Sequence, residues 1–147
     1  MKTTFLTLAL ALGLAAAPRA GSAQSLLVSD NGNSRIGSYN ATTGAANNAA
    51  LAADANGPRG LAVVGNTLYV ANYGNGTVST FNAATGAAIN ASFITGLTSP
   101  EALLVSGGTL YVASLTGGVV GTYNAATGAA LNASFISNTG GPEGLFL

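Results

Sequence analysis

Cysteine, histidine and tryptophan are missing from the chain altogether, and only four basic and four acidic residues stand among 147. Without cysteine there is no disulfide framework and no thiolate metal site. Without histidine as well, neither a Ser–His nor a Cys–His nucleophile pair can be assembled. So few basic residues cannot build a positive surface for phosphate backbones, which excludes nucleic acid as a partner. The four carboxylates, Asp30, Asp54, Glu101 and Glu143, are scattered along the chain, so a glycosidase-type pair would have to be made by folding.

A hydrophobic run long enough to cross a membrane is missing too. The apolar stretch FLTLALALGLAAA, Phe5 to Ala17, has 13 residues, against the ~20 that a spanning helix needs. It follows the positive start Met1-Lys2 and precedes PRAGSA, with small residues at Gly21 and Ala23. This layout predicts a secretory signal peptide over 1–23, cleaved before Gln24, and a protein that is secreted, periplasmic or held at the cell envelope. The absent cysteines do not oppose export, because a chain with an adequate core needs no disulfides. Residues 24–147 then keep Arg35 and Arg59 against the four acids, a net charge of −2, and contain no lysine.

What the chain does have is glycine, short clusters of β-branched and aromatic residues, and a repeat. Tyr39, Phe81 and Tyr123 are 42 residues apart, as are Pro58, Pro100 and Pro142, and Gly44, Gly86 and Gly128. SLLVSDNGNSRIGSYNATTGAA, TLYVANYGNGTVSTFNAATGAA and TLYVASLTGGVVGTYNAATGAA align without a gap from Ser25, Thr67 and Thr109. The copies occupy 25–66, 67–108 and 109–147. Within one copy, GLAVVG (60–65), TLYVAN (67–72), TVSTFN (77–82) and AINASFI (88–94) read as short strands. In the last of them Ile89, Ala91 and Phe93 alternate with smaller or polar neighbours. Asn75-Gly76 and NAATG (82–86) supply hairpin turns in which φ > 0 is easily adopted. A proline stands before each first strand, where its missing N–H is tolerated.

Four antiparallel strands in a repeat of this length predict an all-β chain, a β-propeller of about three four-stranded blades. A β-helix is the alternative, and a leucine-rich repeat lacks its leucine ladder. PEGLFL (142–147) reads as part of a further first strand, the one that closes a ring on the first blade. Closed rings have about four to eight blades. Three therefore make either a partial propeller, the chain being a truncated piece of a longer repeat protein, or half of a six-bladed ring completed by a homodimer.

VSDNGNSRIGSYNATTG (28–44) resembles an NHL repeat, and LYVANYGNGTVSTFNAATG (68–86) resembles the YVTN-type propeller repeat of secreted and envelope-associated bacterial proteins. Later copies depart from the NHL pattern. Asp30 becomes Asn72 and then Ser114, and Arg35 becomes Thr77 and then Val119, so an Asp–Arg contact is expected in the first copy only. A strongly specified fold with few chemically competent side chains, and short polar loops of Asn, Ser, Thr and Gly, point to a non-enzymatic binding or scaffold module with a protein or carbohydrate partner; a metal-dependent lactonase-type hydrolase and a structural segment of a longer repeat protein are the alternatives. Related propellers of the gluconolactonase kind hold a divalent metal such as calcium at the channel mouth. By that resemblance Glu143 and Glu101 are the metal-ligand candidates, and Arg59, Glu101 and Glu143 are the rim of the channel. The order here is Pro-Glu-Gly where those enzymes are expected to show Glu-Gly-Pro. No other cofactor is expected. Asn40, Asn75, Asn90 and Asn132 head glycosylation sequons, which turn and strand chemistry explains first.

Overall fold

The computed structural model describes residues 24–53 and 55–147; the expected signal peptide, 1–23, lies outside them. Among the described residues eleven strands follow one another in three antiparallel sheets. The first blade holds β1 (Ser25–Asp30), β2 (Arg35–Asn40) and β3 (Ala46–Ala52). The second holds β4 (Pro58–Val64), β5 (Thr67–Asn72), β6 (Thr77–Asn82) and β7 (Ala88–Ile94). The third holds β8 (Pro100–Ser106), β9 (Thr109–Ser114), β10 (Val119–Asn124) and β11 (Ala130–Ile136). Among the described residues no helix is long and apolar enough to cross a membrane.

Each blade is a meander because its turns are written into the sequence. Asn82 Oδ1 accepts from the N–H groups of Ala84 and Thr85 at 3.0 and 2.9 Å. Gly86 then closes the loop in the left-handed region, φ 73°, donating to the Asn82 carbonyl at 2.8 Å. Asn40 and Asn124 build the same turn in the other copies. The β5–β6 connection differs from expectation. Gly76 alone takes positive φ there, 68°, while Asn75 accepts the Thr77 hydroxyl at 2.9 Å. Pro58 and Pro100 are the first residues of β4 and β8, not the residues before them, and both side chains are buried.

The outer strands carry a feature that simple alternation misses. Pairing of β6 with β7 runs Val78 to Ile94, Thr80 to Asn90 and Phe81 to Ala88, so β7 is bulged twice. Asn90 Oδ1 accepts from Ser92 N–H at 2.9 Å, folding the strand on itself. Asn48 and Asn132 do the same in β3 and β11. The bulge re-aims the strand, so that Ile94 is buried while Ile89 is exposed.

The blades pack face to face through two cores. Ile36, Ala52, Leu68, Val70 and Phe81 join the first blade to the second. Tyr69, Ala71, Val78, Ile94, Leu103, Leu110, Val112 and Tyr123 join the second to the third. Burying each large side chain there contributes about 1.5–3 kcal/mol. Each outermost face is left open. Leu26 and Val28 are 54% and 40% exposed where their counterparts one repeat on, Leu68 and Val70, are at 0%. On the far side Phe135 and Ile136 are 54% and 46% exposed, where Ile94 is at 5%. Residues 137–147 form no strand, so PEGLFL pairs with no strand among the described residues.

Candidate functional site

The entrances of the innermost strands converge on one open cavity of about 490 Å³. Its walls include Ser29, Asn31, Arg59, Glu101 and Glu143. The structure thus brings together all three rim residues, which are 42 apart in sequence and hold equivalent places in successive copies. Gly60 lets the inner strands approach, since a Cβ there would stand 2.7 Å from the Glu101 carbonyl oxygen and 2.8 Å from Ala102 Cα.

Arg59 is the hub of the rim. Its Nη1 donates to Glu101 Oε2 at 2.6 Å, and its guanidinium carbon lies 3.9 Å from the centroid of the Tyr73 ring. A planar cation held by a carboxylate on one side and an aromatic face on the other is fixed in place. Glu101 is therefore already engaged, and a metal there would compete with the guanidinium. Glu143, on the unpaired segment, is exposed. Among the described residues no group of three or more Asp, Glu, His or Cys side chains could hold a metal ion.

Two residues of the rim region had no sequence signal. Tyr73 is unique to the second copy, the matching positions being Asn31 and Leu115. Ser99 adopts φ 52° just before Pro100, where its counterparts Gly57 and Gly141 take φ 57° and 117°. Its carbonyl and hydroxyl receive Leu115 N–H and Thr116 Oγ1, both at 2.9 Å.

On the flank of the first blade, Asp30 and Arg35 do form their ion pair, Nε to Oδ2 at 3.1 Å. Hydrogen bonding from Asn33, reinforced by Arg35, holds the Asp30 carboxyl below the usual aspartate value. The same pair of positions in the second copy keeps its contact without charge. Asn72 Nδ2 donates to Thr77 Oγ1 at 3.0 Å and to Ser79 Oγ at 2.9 Å, and its Oδ1 accepts Asn56 N–H at 3.1 Å. The third copy, with Ser114 and Val119, has lost it.

The computationally designed Ika4 protein shares this architecture, with a TM-score of 0.54 and 16% identity over 80% of this chain and 77% of that one. The computationally designed Ika8 protein matches with a TM-score of 0.50 and 17% identity over 71% of this chain. This chain spans about a third of the length of Ika8, 34%. At such identity the likeness speaks for the fold alone. The chain is all-β, three blades of a propeller. No protein-family model matches it, and no curated protein matches it by sequence.

Proposed function

We propose that the chain is a secreted or envelope-associated propeller module, of the NHL or YVTN kind, that binds a protein or carbohydrate partner without catalysing a reaction. The observation that carries this reading is the rim cavity. It has the size of a ligand site, its arginine and nearest carboxylate neutralise each other, and the groups beside them, Ser29 and Asn31, are uncharged hydrogen-bonding side chains. Such a surface recognises hydroxyls and amides better than ions. Binding on a glycan array or from cell-surface extracts, lost on Arg59→Ala, is the expected result. Saturable hydrolysis of lactones or esters by the purified protein would overturn it.

A lactonase-type enzyme is the second reading, favoured by Glu101 and Glu143 sharing one cavity. It requires calcium or a similar divalent ion to bind and to be lost on Glu143→Ala, with activity following the metal. Calorimetric titration with calcium separates the two readings.

A further inference from the structure

We propose that a second copy of this chain completes the molecule, two copies closing head to tail into a six-bladed ring in which the first blade of each docks on the third blade of the other. The proposal is independent of what the rim binds.

The described chain forms one interface twice within itself. The face of the second blade that bears Leu68, Val70 and Phe81 covers the first blade, and the matching face of the third, with Leu110, Val112 and Tyr123, covers the second. Shifted back by one repeat, that face is Leu26, Val28 and Tyr39, which no described blade covers, and Leu26 and Val28 are exposed. Its complement is also free. Tyr69 stacks edge-on against Phe93 at 5.8 Å, and its hydroxyl donates to the Ala125 carbonyl of the next blade at 2.8 Å. Tyr111 and Phe135 repeat the aromatic pair at 6.2 Å on the open face of the third blade, which no described blade covers. In the ring, Tyr111 donates to Ala41 of the second copy.

The turn glycines give the same answer. Gly86 abuts the Leu51 carbonyl of the preceding blade, and Gly128 abuts the Phe93 carbonyl. Gly44, in the first blade, has nothing within 4 Å, and the position that would meet it is Phe135.

The inner edge identifies the remaining contact. Among the described residues the first blade has three strands, and an apolar cavity of about 420 Å³ runs between β1 and β4, bordered by Leu26, Leu27, Leu61 and Val63. It is open to a further innermost strand. Residues 142–147 match the innermost strands β4 and β8 in sequence position, reach the same rim cavity, and pair with no described strand. Pairing of β4 with β5 joins Pro58 to Asn72, Leu61 to Val70, Ala62 to Tyr69 and Val63 to Leu68. The same register sets Pro142 opposite Asp30, Leu145 opposite Val28, Phe146 opposite Leu27 and Leu147 opposite Leu26 of the second copy. Heterologous faces close into rings when the rotation permits. Two copies of the three described blades give six, within the usual range of about four to eight.

Light scattering behind size exclusion tests the stoichiometry. Twice the mass of one chain is expected; a stable single chain, or an assembly larger than two copies, overturns the ring. Leu26→Asp and Ile136→Asp, on opposite open faces, are each expected to halve that mass while circular dichroism keeps its strand signal. Because the natural chain has no cysteine, strand exchange can be read directly. Leu26→Cys and Leu147→Cys chains, mixed and oxidised, should yield a covalent heterodimer, whereas neither alone should. Directly opposed strand residues lie within disulfide reach. Absence of the mixed dimer, or an internal disulfide in the double variant, overturns the exchanged strand.

Discussion

Asn72 shows how a single position can be charged in one blade and neutral in the next. It is buried and fully engaged, whereas Asp30 is half-buried and, among the described residues, bonds only Asn33 and Arg35. Asn72→Ala should therefore cost about 1–3 kcal/mol, the penalty for leaving buried partners unsatisfied, read from the urea midpoint. Asp30→Asn should cost less at neutral pH and should change the acid limb. The folded-state pKa of Asp30 lies below 3.8, so its stabilisation is present above that value and fades as pH falls through the lower folded value. The variant's stability should vary less with pH in that window, and an unchanged acid limb would contradict the assignment.

At the scale of the element, the strands were largely legible and their bending was not. β5, β6 and β7 fall where alternation and turn residues put them, because polar tips and apolar arms are local signals. The bulge at Asn90 was hidden, since an asparagine that folds onto Ser92 N–H looks like any polar strand residue. The Arg59–Glu101 pair could be suspected as a shared rim from the repeat, but their contact depends on inner strands meeting at Gly60. Tyr73 beneath Arg59 could not be foreseen, as it belongs to one copy only. Asn90→Ala should unfold the bulge, expose Ile94 and lower stability by about 1 kcal/mol in chemical denaturation. Gly86→Ala should exceed the ~1–2 kcal/mol that left-handed backbone alone costs an L-residue, because its Cβ would meet the Leu51 carbonyl.

For the whole molecule, the two open faces dominate. Their exposed large side chains, Leu26, Val28, Phe135 and Ile136, are apolar, so pairing should tighten with sulfate. Sedimentation at graded salt measures this. Gly44→Ala is the sharper probe, since its Cβ points into open space within one chain. Beyond the backbone cost shared with any left-handed position, it should weaken the two-copy ring, seen as a larger single-chain fraction on dilution.

The differing polar pairs at one place in each blade have a bearing on how the chain finds its fold. Copies so alike in sequence invite a strand of one to pair with a strand of another during folding. The turns cannot prevent this, being nearly identical. Asp30 with Arg35, Asn72 with Thr77 and Ser79, and Ser114 with Val119 can: a strand exchanged between copies leaves an unmatched charge or a buried amide without partners. They act as addresses, telling each β-hairpin which neighbour is its own.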